Sequence, residues 1–346
     1  MKQEGGKFIA AGTYGCIFDP PLLCSDGRKG KGEFGKITAP IDFLIENEAS
    51  RILAPLKLPY FIVPEPNSAC SLAEKQKEKQ LALCGPLKET PLKTMVQFTM
   101  PYGGKTLFSR IVDKNVDFFS VMQQLLEAGA YLIASSFVHY DISINNVVIS
   151  EKGQLALIDF GQSFSTKGIT KETVELRWKV YNPEYETEPP EITVATAMGE
   201  GVNPIVAIPQ IIARKGVFAS AGAILGLQPQ KQAAELRHFW ETSRAAQGGT
   251  RADFWRLYWP TFDSWGVGNC ILTVLRGKLL LKSFTESPAW KEKGKLVRTI
   301  LRGMLQANPR KRLDCVEALK LYDPSNAWFS KYGSSWIEGR AAQKVA

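Results

Sequence analysis

Three oxygen-bearing side chains lie at short, fixed intervals in one segment of the sequence. Asp141 follows His139 by two residues, Asn146 follows Asp141 by five, and Asp159 lies 18 residues after Asp141. Apolar runs follow the asparagine and precede the second aspartate, which predicts a loop, a short hairpin and a return to the same cleft. Carboxylate and amide oxygens can accept a proton or bind a hard divalent cation. The alternative is a hairpin whose aspartates only cap turns.

This segment resembles the H-x-D-x-x-x-x-N catalytic loop and the D-F-G loop of eukaryotic-type serine/threonine protein kinases. The resemblance implies transfer of a phosphoryl group from ATP to a protein hydroxyl, with Mg²⁺ on the nucleotide. It also implies that Asp141 accepts the hydroxyl proton, while Asn146 and Asp159 bind the metal. His139 would hold the loop in place and take no part in proton transfer.

A glycine turn near the start of the chain matches the last two glycines of the kinase pattern G-x-G-x-x-G-x-V, with Ala10 in place of the first. Backbone amides can approach phosphates at such a turn because glycine has no side chain. The resemblance implies nucleotide contacts at Gly12, Thr13, Tyr14, Gly15, Ile17, Lys36 and Met100.

Lys36 is the candidate for the lysine that holds the nucleotide phosphates in these kinases, and a helix glutamate would hold that lysine. Glu48 and Glu46 compete for the second role. We prefer Glu48 because Ile52 and Leu53 follow it in the kinase manner. The predicted catalytic set is Asp141, Lys36, Glu48, Asn146 and Asp159.

Two later motifs resemble structural elements of the kinase carboxy-terminal lobe. The D-x-W-x-x-G motif begins at Asp263, which would brace the catalytic loop from the start of a buried helix. The N-P-x-x-R motif ends at Arg312, which would pair with the glutamate of the A-P-E motif. Glu191, in Pro-Pro-Glu, is the candidate partner and Glu184 is the rival. Small-molecule kinases of similar fold usually lack both motifs.

Two positions depart from the kinase pattern. Tyr140 replaces the arginine that usually follows the loop histidine, which removes the cation that would bind a phosphate on the activation loop. Ser143 stands where serine/threonine kinases carry a lysine that contacts the transferred phosphate. We therefore expect no activation by loop phosphorylation, and either slow turnover or a substitute cation.

The elements that must position these residues follow from hydrophobic periodicity and turn residues. Short apolar runs around glycines predict strands, and three- to four-residue spacing predicts helices. Two strands are predicted within residues 7–18, a third ends at 35–37, and another spans 95–100. Helices are predicted over residues 42–56 and 116–137.

A strand-rich front followed by a helical rear predicts an α+β, bilobal protein-kinase-like fold. The predicted small β-rich lobe covers residues 1–100 and the larger, mainly helical lobe covers 101–346. Two stretches have the composition of insertions, at about 66–92 and about 192–262.

Composition limits the partners and the location. The chain has 346 residues, a formal net charge of +9 and a sequence pI near 9.1, which favours polyanionic partners, but no nucleic-acid module is evident. The six cysteines form no C-x-x-C pair, so we expect free or buried thiols in a reducing compartment. No signal sequence or membrane span is predicted, which favours an intracellular, cytoplasmic protein.

A protein substrate and a nucleotide are the expected partners; the physiological substrate, the regulation and the oligomeric state stay open. The glycine-turn segment 12–24 together with 139–146 also resembles the protein kinases of large nucleocytoplasmic DNA viruses. Two other functions remain possible: a pseudokinase that binds partners without chemistry, and a small-molecule kinase.

Overall fold

The computed structural model describes residues 6–12, 15–28, 34–74, 76, 78–85 and 90–345, without the side chains of 78, 79 and 341–345. The chain forms two compact units. The amino-terminal unit comprises residues 1–104 and 149–163, and the carboxy-terminal unit comprises 105–148 and 164–346.

The amino-terminal unit contains an antiparallel five-stranded sheet. Its strands are β1 Lys7–Ala11, β2 Gly15–Asp19, β3 Phe34–Thr38, β4 Cys70–Ser71 and β5 Val96–Met100, and the helices of the unit are α1 Pro40–Leu53 and α2 Glu78–Leu81. The strand order in the sheet is β1-β2-β3-β5-β4. Gly15 begins β2, where an added Cβ would lie 2.1 Å from the Ile37 carbonyl oxygen, so close strand approach requires glycine here.

Four of the six cysteines are paired in this unit, so the prediction of free thiols was wrong for them. Cys16 is bonded to Cys84, and Cys24 is bonded to Cys70. The pairs span 68 and 46 residues of sequence, so neither has a short-range spacing signature. The first pair ties β2 to the predicted 66–92 insertion, and the second ties the segment after β2 to β4, which lies within that insertion.

The carboxy-terminal unit is built mainly from helices. Helix α3, Phe118–Ala134, begins at Asp117, whose side chain accepts a hydrogen bond from the Phe119 amide. Helix α11, Phe262–Lys278, has its first seven residues buried. The other helices are α4 Lys171–Leu176, α5 Pro190–Gly199, α6 Pro204–Arg214, α7 Gly216–Leu225, α8 Pro229–Thr242, α9 Arg244–Gln247, α10 Arg251–Tyr258, α12 Lys282–Thr285, α13 Pro288–Met304, α14 Cys315–Tyr322, α15 Ala327–Tyr332 and α16 Ser335–Val345.

Short strands frame the predicted catalytic segment. In the carboxy-terminal unit, β7 Phe137–Val138 pairs with β10 Phe164–Ser165 in antiparallel register. The remaining strands are β6 Lys105–Thr106, β8 Val147–Ile149 and β9 Leu155–Leu157. Within the described residues, no helix is long and apolar enough to cross a membrane.

The predicted 192–262 insertion forms helices and contributes to the core. It contains most of α5 and the whole of α6 to α10, with buried residues that include Ile208, Phe218, Phe239 and Trp255. A loose surface loop would not bury such side chains. This segment is therefore part of the packed carboxy-terminal unit.

Candidate active site

Lys36 lies in the middle of β3 and contacts two carboxylates of its own unit. Its ammonium nitrogen is 2.5 Å from Oε1 of Glu46 and 2.8 Å from Oδ1 of Asp159. Burial alone would lower the pKa of Lys36, but the two carboxylates outweigh burial and raise it. Burial raises the pKa of Glu46 to about 7, against the opposing effect of Lys36. The two carboxylates thus favour the charged form of Lys36, and an ammonium group can bind phosphate oxygens.

The partner of Lys36 is Glu46, so the preference for Glu48 was wrong. Glu46 lies on the same face of α1 as the buried residues Ala49, Ser50 and Leu53, at the three-, four- and seven-residue spacing of a helix face. Glu48 is exposed on the opposite side. Apolar residues after the glutamate were a poor guide, because helix phase decides which glutamate faces β3.

Asp159 is held by the local structure around Phe160. The Phe160 side chain is fully buried and its ring lies 6.3 Å from the ring of Phe61. Its carbonyl accepts hydrogen bonds from the amide and hydroxyl of Ser163. Asp159 itself has a positive φ of 65°, a conformation rare for a non-glycine residue. A buried anchor therefore fixes a strained residue that carries a carboxylate.

In the carboxy-terminal unit, Asp263 braces the loop that carries Asp141, as predicted. Its two carboxylate oxygens accept hydrogen bonds from the amides of His139 and Tyr140, each at 2.8 Å. Helix α11 lies close to this loop, because an added Cβ on Gly266 would be 2.6 Å from the Ile142 carbonyl oxygen. The loop is therefore fixed through its backbone.

Asn146 is the side chain that orients Asp141. Its amide nitrogen donates to the Asp141 carbonyl at 2.9 Å and to Oδ2 of Asp141 at 3.0 Å. Because the nitrogen makes these contacts, the amide oxygen is the atom that could bind a cation. The amide of Asp141 also donates to Nδ1 of the buried His139 at 3.3 Å.

Two hydroxyl groups that sequence reasoning missed meet the other oxygen of Asp141. Oδ1 accepts hydrogen bonds from the Tyr185 hydroxyl at 2.7 Å and from the Thr187 hydroxyl at 2.8 Å. These contacts bridge 44 and 46 residues of sequence. The only signal for them was their place shortly before Glu191. Asp141 can therefore accept a hydroxyl proton within hydrogen-bond reach.

The segment that carries Tyr185 and Thr187 is held from the predicted 192–262 insertion. Lys215 is fully buried and its ammonium donates a very short hydrogen bond to the Tyr185 carbonyl. The Glu186 side chain accepts from the amides of Gly216 and Val217, at the start of α7. This brace also went unrecognised in the sequence, because no local pattern marks it.

The D-x-W-x-x-G and N-P-x-x-R motifs each contact one end of the segment 186–191. Trp265 donates its indole N–H to the Glu186 carbonyl at 2.9 Å. Arg312 pairs with Glu191, which confirms Glu191 over its rival; Glu184 is an exposed partner of Arg214. The D-x-W-x-x-G and N-P-x-x-R motifs thus hold the segment that ends at Glu191.

Aromatic rings surround the position of the missing arginine. Tyr140 is buried, with its ring 4.9 Å from Trp255, 5.7 Å from Phe164 and 5.8 Å from Phe262. The Ser143 hydroxyl stabilises its own loop, because it accepts hydrogen bonds from the backbone amides of Asn145 and Asn146 at 3.3 Å each.

The predicted nucleotide contacts of the first unit are only partly described. The Gly12 amide donates to the Gly15 carbonyl at 2.8 Å, closing the turn, while Thr13 and Tyr14 lie outside the described residues. Ile17 is opposite Lys36 across β2 and β3. Met100 ends β5 opposite Phe34. Their contacts with a nucleotide stay predictions.

Comparisons with known proteins found two similar protein kinases. No family model matches the chain. A serine/threonine-protein kinase of Candida glabrata is 24% identical over 223 residues, which cover 61% of this chain and 30% of that protein. Mitogen-activated protein kinase pmk-3 of Caenorhabditis elegans is 21% identical over 182 residues, which cover 50% of this chain and 36% of that protein.

The chain therefore spans about a third of the length of the curated relatives it matches. The sheet-containing amino-terminal unit and the helical carboxy-terminal unit give an α+β fold, consistent with the bilobal kinase type predicted from the sequence. These weak similarities to protein kinases support a protein kinase of the eukaryotic type.

Proposed function

We propose that this chain transfers the γ-phosphoryl group of ATP to serine and threonine hydroxyls of protein substrates. The observation that carries the proposal is the environment of Asp141. One of its oxygens accepts hydrogen bonds from two hydroxyls, and the other is held by the amide of Asn146. A carboxylate so placed can orient an acceptor hydroxyl and take its proton.

Charge neutralisation in this proposal comes from Lys36 and a magnesium ion. Lys36 would bind phosphate oxygens, with Glu46 holding its ammonium in place. The carboxylate of Asp159 and the amide oxygen of Asn146 are each hard oxygen ligands of the kind that Mg²⁺ prefers, so the chemistry of each donor fits this ion. When bound, Mg²⁺ would neutralise charge that develops on the phosphates.

Serine/threonine specificity is supported by the name of the Candida glabrata relative. A protein acceptor is supported by the D-x-W-x-x-G and N-P-x-x-R motifs, which small-molecule kinases usually lack. The narrower likeness to viral kinases rests on residues 12–24 and 139–146. We propose an intracellular place of action, since ATP is the co-substrate. Protein disulfides are rare in the cytosol, so the two pairs found here argue against the cytosol as the compartment.

The test is a transfer assay with radiolabelled ATP, Mg²⁺ and generic basic and acidic proteins. Wild type should label a protein, whereas Asp141→Asn and Asp159→Ala should each lose at least about 99% of the signal. Glu48→Gln, an exposed neighbour of Glu46, is the matched control and should keep full activity. Phosphoamino acid analysis of the product then separates serine and threonine from tyrosine.

Other outcomes identify the other functions. Thermal stabilisation by ATP and Mg²⁺ with no transfer to any protein would support a pseudokinase. Labelling of a sugar, lipid or aminoglycoside without protein labelling would support a small-molecule kinase. Full activity of Asp141→Asn would remove Asp141 from its role.

A further inference from the structure

One lysine of the carboxy-terminal unit reaches the same hydroxyl as Asp141. The ammonium of Lys179 donates to the Tyr185 hydroxyl oxygen at 2.9 Å, and that hydroxyl donates to Oδ1 of Asp141 at 2.7 Å. A cation and a carboxylate thus share one oxygen atom. The arrangement is independent of Ser143, whose hydroxyl serves the backbone of its own loop.

The surroundings of Lys179 keep its charge directed at this point. Its ammonium lies 4.2 Å from the ring centre of Tyr185 and 5.1 Å from that of Tyr140, in the range of cation–π contacts. Burial lowers its pKa, and the carboxylates of Asp141 and Glu188 oppose that shift. Two aromatic rings therefore flank the ammonium group of a partly buried lysine, and the charges of two carboxylates favour its protonated form.

The Tyr185 hydroxyl has the geometry required of an acceptor. A general base must lie about 2.6–3.2 Å from the oxygen whose proton it takes, and Oδ1 of Asp141 meets that condition here. The oxygen that receives the phosphoryl group also needs a nearby positive charge, because the transferred group carries negative charge. Lys179 is the lysine that the structure places on that oxygen.

We propose that Lys179 is a catalytic residue that contacts the acceptor oxygen and the phosphoryl group delivered to it, with Tyr185 marking the acceptor position. The inference rests on the proposed function. A substrate hydroxyl takes the place of the Tyr185 hydroxyl, between the Asp141 carboxylate and the Lys179 ammonium. Its oxygen bonds to the γ-phosphorus as the bond from that phosphorus to the ADP oxygen breaks, and its proton passes to Asp141.

In this reaction the Lys179 ammonium stays protonated and neutralises charge on the phosphoryl oxygens. It thereby does the work of the lysine that Ser143 replaces. A purely structural Lys179 would instead hold Tyr185, and Tyr185 would hold the loop. The two roles predict different behaviour when either the charge or the hydroxyl is removed.

The decisive variant is Lys179→Gln, which keeps a hydrogen-bond donor and removes the charge. We expect kcat to fall about 100-fold, the loss typical of removing one electrostatic contact that stabilises the transition state, while the KM for ATP stays within about twofold. Lys179→Arg, which keeps the charge, should retain at least about a tenth of the activity. Lys171→Met, at an exposed lysine, is the control and should match wild type.

Two further variants separate catalysis from structure. Ser143→Lys combined with Lys179→Gln should recover at least about tenfold of the lost kcat, because it restores a cation at the loop position. Tyr185→Phe, which removes the competing hydroxyl, should raise kcat/KM for the protein substrate about threefold. Thermal melting of each variant shows whether it is folded, and the rescue stays informative if Lys179→Gln is destabilised.

The proposal is overturned if Lys179→Gln keeps more than about half of wild-type kcat, or if Tyr185→Phe is as inactive as Lys179→Gln and Ser143→Lys gives no rescue. Wild type and Asp141→Asn are assayed alongside. An inactive wild type would refute the proposed function, whereas an active wild type with an active Lys179→Gln would refute only this inference.

Discussion

Glu191 and Arg312 form a two-point ion pair from which solvent is fully excluded. The guanidinium donates to the two carboxylate oxygens at 2.8 Å and 2.6 Å, and neither side chain has any exposed surface. Arg312 also donates to the carbonyls of Thr261 and Gln306. The pair therefore joins the segment before Glu191, which contacts Asp141, to the residue before α11 and to the segment that follows α13.

Breaking this pair should be costly. Arg312→Met leaves Glu191 as a buried, unpaired charge, so we expect a loss of about 3–5 kcal/mol in the free energy of unfolding by urea. The neighbouring Lys311 pairs with Glu235 at 2.6 Å but is half exposed, so Lys311→Met should cost less than about 1 kcal/mol. Equal costs for the two variants would show that the buried pair does not hold these segments together.

The choice of glutamate at Lys36 is open to a direct comparison. Glu46→Gln removes the charge that holds the Lys36 ammonium, so kcat/KM for ATP should fall at least about tenfold, or about 1.4 kcal/mol. Glu48→Gln, two residues away on the exposed face, should leave it unchanged. Steady-state kinetics with varied ATP measure both. A larger loss for Glu48→Gln would reverse the assignment.

Counting thiols tests the paired cysteines. Denatured, unreduced protein should expose two thiols, from Cys270 and Cys315, and reduction should expose all six. Because Cys16 and Cys84 close a long loop, the Cys16→Ser/Cys84→Ser variant should lose up to about 4 kcal/mol in unfolding free energy. Six reactive thiols in freshly denatured, unreduced protein would mean that neither pair forms.

Lys215 should leave a signature at alkaline pH. Burial lowers its pKa to about 8, although the carboxylates of Glu188 and Glu186 oppose the shift. Between about pH 8 and its ordinary value of 10.5, the unfolded chain keeps this proton and the folded chain has lost it, so this group makes stability rise with pH.

The difference in unfolding free energy between wild type and Lys215→Met should accordingly increase over that window, by about 3 kcal/mol at most. Urea unfolding at several pH values from about 7 to about 10 measures it. A difference that stays flat, or that falls as pH rises, would contradict a lowered pKa of Lys215 in the folded chain.

Local patterns predicted the parts of this site that lie close together in sequence. Asp141 and Asn146 are five residues apart and hydrogen-bonded, and Asp263 braces their loop as the motif implied. The choice between Glu46 and Glu48 failed because it depends on the phase of one helix against one strand. Packing decides that phase, and no residue type near the glutamates reveals it.

Long-range contacts explain the remaining omissions. The hydroxyls on Asp141, the brace from Lys215 and the two disulfides join positions 30 to 68 residues apart, without a motif at either end. Folding of the 192–262 segment brings the Lys215 ammonium to the carbonyl of Tyr185.

The aromatic enclosure of Tyr140 bears on how such a protein would be controlled. In the usual arrangement, a covalent mark on a flexible segment recruits a positive charge and thereby turns the molecule on. In this protein, aromatic side chains occupy the position of that positive charge. The segment around Tyr185 is already held by the contacts of its hydroxyl and carbonyl groups. We therefore expect the folded protein to be active without prior modification by another enzyme. The total activity would then depend on the amount of protein that is synthesised.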